Sequence, residues 1–351
     1  PPGAQTRSMN PIDIVIMAAG KGTRMKSRLP KVLQRLAGRP LLQHVLGQAS
    51  ALGARSAIVV TGHGAMEVEA ACAGAISAGG QFDLKFVRQE PQLGTGHAVQ
   101  QAAPLLQDDG TVVVLSGDVP LTQPDTVRAL VQACADQALA LLTVRLPDPK
   151  GYGRIVRGAD GAVRGIVEEK DASDAERAIT EVYSGILAVP ARLLLQWLPR
   201  LSNQNAQGEY YLTEVVAMAV AQGVPVTTHT IDDAVQVAGV NSPAQLAELE
   251  RAYQTRTAAA LMEQGVRLAD PARFDLRDDA RSGARAELVC AQDVEIDVGC
   301  IFTGRVELGE GVRIGAYCCI ANARIAAGAV IHPFTHIDGE AAGVQVGEGA
   351  L

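Results

Sequence analysis

Short, β-branched apolar runs alternate with segments of helical spacing from residue 10 to about 145. The run from Ile12 to Ala18 is apolar almost throughout, as a strand buried on both faces requires. Ser56 to Thr61, Thr111 to Leu115 and Ala138 to Val144 repeat that pattern. Between them, Leu41 to Leu52, Ala98 to Leu106 and Pro124 to Ala135 carry helical spacing. Such alternation predicts βαβ units, and so an α/β domain with a mostly parallel sheet and helices on both faces. From 150 to 240 the pattern loosens into shorter strands around Ile155, Gly165 to Val167, Tyr183 to Val189 and Val224 to Thr230, with a helix near Tyr211 to Ala221. This stretch reads as an insertion and sheet extension that forms one wall of a cleft.

Asn241-Ser242-Pro243 then opens a helix, with a capping side chain ahead of a proline in the first turn. It runs to about Gln264, where Gly265 ends it, a reach of roughly 30 Å at 1.5 Å per residue. Its position predicts a connector between domains. Beyond it the period changes. Ile296, Phe302, Leu308, Ile314 and Ile320 recur every six residues, with Val294, Val306, Val312 and Cys318 two positions ahead of four of them. After a one-residue slip, Ile325, Ile331 and Ile337 restart the count. Neither a helix nor a hairpin array has this period; a parallel β-helix with inward apolar rows does. Three hexads per coil give three to four coils, and the absence of a polar cap reads as truncation within this domain.

The expected division is residues 1–8 as an expression remnant, 9–242 as the α/β domain, 243–264 as the connector and 265–351 as the start of the β-helix. A length of 351 residues agrees with more than one domain. Aromatics make up only 3% against 48% hydrophobic residues, so small aliphatics build the core. A net charge of −7 argues against a general nucleic-acid binder. No apolar run approaches the roughly 20 residues that span a bilayer, and no secretory segment opens the chain. The 6 cysteines show no Cys-x-x-Cys pairing, which disfavours a zinc site or disulfide framework and suits a reducing cytoplasm.

Three constellations carry candidate chemistry. Met17-Ala-Ala-Gly-Lys-Gly-Thr-Arg24 follows the first buried strand, and Leu29-Pro30-Lys31 follows it in turn. Bare backbone N–H groups after a strand suit phosphate oxygens, and Arg24 and Lys31 add positive charge. Gln89 to His97 joins a strand to a helix at the sheet's carboxyl end, where ligands of open α/β sheets bind. Ser116-Gly117-Asp118 leaves another strand toward the same crevice, and a carboxylate there suits Mg²⁺ when phosphates complete its shell. Together the three describe a nucleoside-triphosphate site. His44, His63 and His97 lack ligand spacing and read as structural or cleft-lining; Cys318-Cys319 places one thiol inward and one outward on a coil.

The glycine loop with Leu-Pro-Lys resembles the sugar-phosphate nucleotidyltransferases. Gln-Leu-Gly-Thr-Gly-His-Ala (92–98), Gly-Asp-Val-Pro-Leu (117–121), Gly-Tyr-Gly-Arg-Ile (151–155), Ile-Val-Glu-Glu-Lys-Asp (166–171), Asn-Ala-Gln-Gly-Glu-Tyr-Tyr-Leu-Thr (205–213), Gly-Val-Asn (239–241) and Asp-Pro-Ala-Arg-Phe-Asp-Leu-Arg (270–277) narrow it. With the hexapeptide coils, they resemble the bacterial bifunctional N-acetylglucosamine-1-phosphate uridyltransferase / glucosamine-1-phosphate N-acetyltransferase family.

The resemblance implies a Rossmann-like nucleotidyltransferase domain followed by a left-handed parallel β-helix. It also implies transfer of UMP from UTP to N-acetylglucosamine 1-phosphate with Mg²⁺, for peptidoglycan and lipopolysaccharide precursors. Arg24 and Lys31 are its catalytic cations. Met17, Ala18, Ala19, Gly20, Lys31, Gln89, Gly94, Thr95, Ser116, Gly117, Asp118, Gly153, Glu168, Tyr183 and Asn241 match its substrate-binding positions, with Asp118 and Asn241 on the metal. By sequence alone Asn241 reads as the helix cap; the resemblance assigns it to the metal. Tyr183 and Ser116 depart from the family pattern, which usually has Asn and commonly Tyr there. The resemblance further implies a cytoplasmic homotrimer, no nucleic acid or membrane partner, and acetyl-CoA as a substrate of the full-length parent only. Its acyl-transfer residues are expected beyond Leu351. Two other readings remain open: a nucleotidyltransferase for another base or hexose, or a non-catalytic scaffold of the same architecture.

Overall fold

The computed structural model describes residues 10–73, 82–135 and 137–351, so the expected remnant at residues 1–8 lies outside the described residues. The described residues form two compact units, one within 10–33 and 41–241, the other of 34–40 and 242–351.

The first unit is built on one sheet. Its strands are β1 (Ile12–Met17), β2 (Ser56–Thr61), β3 (Asp83–Arg88), β4 (Thr111–Ser116), β5 (Leu139–Arg145), β6 (Gly153–Arg157), β7 (Val163–Val167), β8 (Glu181–Pro190) and β9 (Val226–Ile231). They lie in the order β9-β5-β8-β4-β1-β2-β3, with β6 on β8 and β7 on β6. β1 pairs in parallel with both β2 and β4, while β8 runs antiparallel between β4 and β5. The chain therefore leaves β1 toward one side, builds β2 and β3, and returns to the other side as β4. That reversal makes the carboxyl end of β1 a topological switch point.

Alternate strand residues feed two cores. Ile14, Ile16, Val59 and Val113 meet Leu42, Val45 and Leu46 of α1 (Leu41–Leu52), Val68 of α2 (Ala65–Ala73) and Leu130 of α4 (Pro124–Cys134). Val15, Ile58, Val60 and Val114 meet Val99 of α3 (Thr95–Ala102), Trp197 of α6 (Ala191–Trp197) and Val216 of α7 (Glu214–Ala221). Between the first four helices and these, α5 (Asp174–Arg177) is a single turn closed by a capping box between Ser173 and Glu176. Helices thus cover both faces, as the alternation implies.

In the second unit, α8 spans Pro243–Glu263, with Ser242 as its cap, accepting from the Gln245 N–H. The expected connector is an integral part of this unit. Its Ala258 and Leu261 join the apolar core of the coils, and buried Gln254 exchanges two hydrogen bonds with the backbone of Leu276. Glu295 pairs with Arg313, and Ile301 with Cys319, each eighteen residues on. The next step, Arg313 to Val330, is seventeen. These steps are three hexads and the one-residue slip. Ile296, Phe302, Leu308, Ile314 and Ile320 are buried, as are Val294, Val306, Val312 and Cys318, so both rows face inward. Cys319 is exposed, as expected of the outward thiol.

Candidate active site

A crevice of about 560 Å³ opens at the carboxyl ends of β1 and β4 and beside the start of α3. Its floor comes from β1. Ala18 and Ala19 continue the strand, held by the Ala18 N–H on Val60 O (2.9 Å) and by Gln92 Nε2 donating to Ala19 O (2.7 Å). The chain then turns at Gly22 (φ +58°), where an added Cβ would stand 2.6 Å from Cβ of Lys31. Gly22 is therefore needed both for the left-handed turn and for the approach of Lys31.

Residues 20–31 hold five cations, Lys21, Arg24, Lys26, Arg28 and Lys31, and no carboxylate. In a chain of net charge −7 this is a local reversal of sign. Arg24 is exposed on the crevice wall and has no carboxylate partner among the described residues. Lys31 differs. Its Nζ lies 2.5 Å from Asp118 Oδ2 and 3.2 Å from Asn241 Oδ1. A carboxylate oxygen and an amide oxygen thus converge on one cation.

Asp118 is delivered by the turn after β4, and the loop of Asn241 is tied to it by the Val240 N–H on Asp118 O (2.9 Å). Because Ser242 caps α8, Asn241 is not the cap that its sequence position suggests. No group of three or more His, Cys, Asp or Glu side chains suited to a metal occurs among the described residues. The two convergent oxygens nevertheless fit a hard divalent cation, which takes few protein ligands when water and phosphates supply the rest.

Gln89 follows β3 and is buried; its Nε2 donates to Gly94 O (2.9 Å) and contacts His97 Nδ1 (3.1 Å). His97 is therefore a structural partner of the crevice, in keeping with its non-ligand spacing. The segment Leu93–Gly96 is stitched to 210–212 by Tyr210 N–H on Leu93 O, Gly96 N–H on Tyr210 O and Leu212 N–H on Thr95 Oγ1. Gly94 precedes α3, which begins at Thr95 rather than at Ala98.

A second cavity, of about 200 Å³, shares Met17, Thr95 and Ser116 with the crevice and adds Gly153, Glu168, Tyr183 and Thr213. Thr213 Oγ1 donates to Glu168 Oε1 (3.0 Å). Burial pushes the Glu168 carboxyl up from its ordinary value, against the lowering effect of Thr213.

The structure thus brings Met17, Ala18, Ala19, Gly20, Arg24, Lys31, Gln89, Gly94, Thr95, Ser116, Asp118 and Asn241 to one crevice, and Gly153, Glu168 and Tyr183 to the adjoining cavity. Gly117 is the exception: it is buried under the floor, within 3.3 Å of Ala18, Met17 and Val32 atoms if a Cβ is added. Its small size matters for packing β4 against the loop. Gln92, Glu209 and Thr213 line the walls without having been singled out. Each lies inside a quoted motif, which was the available signal.

Residues 14–266 match the model of the MobA-like NTP transferase domain. The bifunctional protein GlmU of Acidovorax ebreus (strain TPSY) is 79% identical over 343 residues, covering 98% of this chain and 72% of that protein. That of Paracidovorax citrulli (strain AAC00-1) is 76% identical over 344 residues, with the same coverage. The chain belongs to the bifunctional GlmU family. A solved UDP-glucose pyrophosphorylase in complex with UDP-glucose aligns with 70% of this chain and 99% of its own at a TM-score of 0.57; at 17% identity, this likeness is one of fold. Family membership makes the chain a nucleotidyltransferase acting on a nucleotide and a sugar phosphate with a divalent metal. No helix among the described residues is long and apolar enough to cross a membrane.

Proposed function

We infer that the synthesis of UDP-N-acetylglucosamine, the reaction of this family, runs in the crevice at the end of β1, with UTP and N-acetylglucosamine 1-phosphate as its substrates. The observation that carries this reading is the convergence of Asp118 and Asn241 on the Lys31 ammonium, beside loop cations that have no carboxylate partner among the described residues.

The chemistry follows from charge. A phosphate monoester has its second pKa near about 6, so at neutral pH the sugar phosphate is largely a dianion and is already the nucleophile. No side chain has to remove a proton. One phosphate oxygen forms a bond to the α-phosphorus of UTP while the bond to the bridging oxygen of the β-phosphate breaks, and pyrophosphate leaves with that electron pair. The protein's work is to hold two polyanions in line and to stabilise the charge that builds up between them. Arg24 and the backbone of Gly20 to Thr23 hold the leaving pyrophosphate. Lys31 neutralises charge on the reacting phosphates. Gln89, the Gly94 backbone and the Ala18–Ala19 turn read the uracil edge; Glu168 and Gly153 face the sugar.

Asp118 and Asn241 are the residues that would hold Mg²⁺. Such an ion, when bound, supplies charge neutralisation and alignment at the phosphates. A homotrimer built on the coils, a cytoplasmic setting and, for the full-length relatives, acetylation of glucosamine 1-phosphate from acetyl-CoA complete the reading.

The test is a matrix of UTP, CTP, ATP and dTTP against N-acetylglucosamine, glucosamine and glucose 1-phosphates, followed by pyrophosphate release. UTP with N-acetylglucosamine 1-phosphate should dominate. Equal use of ATP would overturn the uracil assignment, and no pyrophosphate from any pair would favour the scaffold reading.

A further inference from the structure

Not all of the positive charge beside the crevice lies in its wall. The wall carries Lys21, Arg24 and Lys31 against the carboxylates of Asp118 and Glu209. Lys31 and Asp118 offset each other, so Lys21 and Arg24 stand against Glu209 and the lining is close to neutral. Lys26 and Arg28 line no part of it. Both are exposed, and neither has a carboxylate partner among the described residues. The loop's own bonds fix their place. The Met25 N–H donates to Gly22 O (3.0 Å) and the Lys26 N–H to Thr23 O (3.2 Å), while the Met25 side chain is buried. The Leu33 N–H on Pro30 O (2.9 Å) closes the next turn. Consecutive Cα atoms are about 3.8 Å apart, so Lys26 lies within roughly 8 Å of Arg24 and Arg28 within roughly 11 Å of Lys31, Cα to Cα. These reaches are close to one Debye length at physiological salt, about 8–10 Å, so both charges are felt in the crevice.

We propose that Lys26 and Arg28 are capture residues: they draw the polyphosphate of the nucleotide into the crevice by long-range attraction and do not hold it once bound. This rests on the reading of the reaction given above, in which that nucleotide is UTP. A triphosphate approaching the wall alone meets little net charge. With Lys26 and Arg28 it meets a field of one sign, which raises the rate of encounter by about 10- to 10³-fold where salt is low. Cations that served only solubility would be mixed with carboxylates, whereas residues 20–31 hold none in a chain of net charge −7. Charges at the rim of a site act on association and its salt dependence rather than on dissociation. The loop thus divides its work: Arg24 and Lys31 bind, and Lys26 and Arg28 steer.

The experiment follows association of UTP carrying a fluorescent label on its ribose, by stopped flow, with wild type and with Lys26→Gln/Arg28→Gln. In about 0.01 M salt, where the Debye length is about 30 Å, the variant should bind about tenfold more slowly. Its dissociation rate, and its kcat at saturating UTP, should stay at the wild-type level. In about 1 M salt, where that length is about 3 Å, the two on-rates should meet. Lys26→Arg/Arg28→Lys keeps the charge and should bind like wild type at both. Arg192→Gln removes an exposed charge at the far end of the sheet, where Pro190 pairs with Thr111 at the start of β4, and should leave the on-rate unchanged. Pyrophosphate release is assayed separately, so lost turnover with salt-dependent capture intact would sink the reaction assignment and not this proposal. Equal on-rates in low salt, a gap that persists in high salt, or the same slowing from Arg192→Gln would overturn it. Wild type that binds no labelled UTP at either salt would overturn both.

Discussion

Glu168 in the first unit and Asp279 in the second are both carboxylates withdrawn from water, and their environments push them in opposite directions. Glu168 accepts from Thr213, and burial dominates, so its carboxyl rises above the ordinary range. Asp279 is less exposed to solvent, and it accepts from the Arg281 N–H (2.9 Å), Ser282 Oγ (2.7 Å) and Asn322 Nδ2 (2.9 Å). Burial raises its pKa and these donors overcome that, bringing it down to about 2. The cations divide in the same way. In the coils, Arg267 pairs with Glu295, Arg281 with Asp338, and Arg305 with Glu307. In the loop after β1, Lys21, Arg24, Lys26 and Arg28 have no carboxylate among the described residues. Charged groups of the coils complete one another, whereas four cations of the loop beside the crevice have no carboxylate partner among the described residues. Unpaired positive charge beside a crevice suits an anionic ligand, while a carboxylate satisfied by its own donors serves the fold.

The largest effect should come from removing a crevice cation. Lys31→Ala should lower kcat for UDP-N-acetylglucosamine formation by about 10²- to 10³-fold, the scale of losing one group aimed at developing charge. Circular dichroism and Tm should stay close to wild type, because the half-buried Lys31 side chain lies outside the apolar cores. A variant with more than a tenth of wild-type kcat would break the contrast between the two regions.

Asp279→Ala tests the other side. It strands the Ser282, Asn322 and Arg281 donors, which should destabilise the second unit by about 2–3 kcal/mol in denaturant titration. Uridyl transfer at 25 °C should be unchanged. The pH dependence has a definite sign. A carboxyl held at about 2 in the fold, against an ordinary 3.8, contributes stability that is fully present above 3.8 and lost as pH falls through about 2. The acid limb of unfolding should therefore be shallower in the alanine variant. Identical limbs would show that the three donors do not hold Asp279.

How much of this was legible depended on whether a feature repeats. The hexad rows, the strands β1, β2, β4 and β5, and helix α1 follow from apolar periodicity because burial imposes that period directly. Strand β3 escaped definite bounds. Its sequence Asp-Leu-Lys-Phe-Val-Arg is half-exposed at the sheet edge, where no strict pattern is imposed. Helix α6 starts directly after Pro190, the last residue of β8, and no element is expected there from the sequence pattern. The walls of the crevice could be read from motifs, including Asp118 and Asn241, though Asn241 alone resembled a cap until Ser242 took that role. Gly117 shows the limit of motif reading, since it sits in a site motif and serves packing. That the buried Tyr183 hydroxyl has no hydrogen-bond partner among the described residues, and that the Glu168 carboxyl is raised, was not legible. Both arise from what β6, β7, β8 and the 205–213 segment bring together, and no local pattern encodes an absent partner.

The smallest effect, and the sharpest for the contrast, belongs to Glu168→Gln. Because burial holds the Glu168 carboxylate of the adjoining cavity unfavourably, neutralising it should stabilise the ligand-free protein. The sign follows from the raised pKa. A carboxyl whose folded value lies above its unfolded one, ordinarily 4.5, contributes stability that is full below 4.5 and lost as pH rises through the folded value. Wild type and glutamine variant should therefore melt alike near pH 4 and diverge toward neutrality, with the variant higher. Its KM for the sugar phosphate should rise about tenfold, because an amide cannot replace the charge-assisted acceptor, while KM for UTP stays level. A variant that melts lower than wild type at pH 7 would mean that Glu168, like Asp279, is satisfied by the fold alone, and the division between the two regions would fail at the residue where it is most exposed to test.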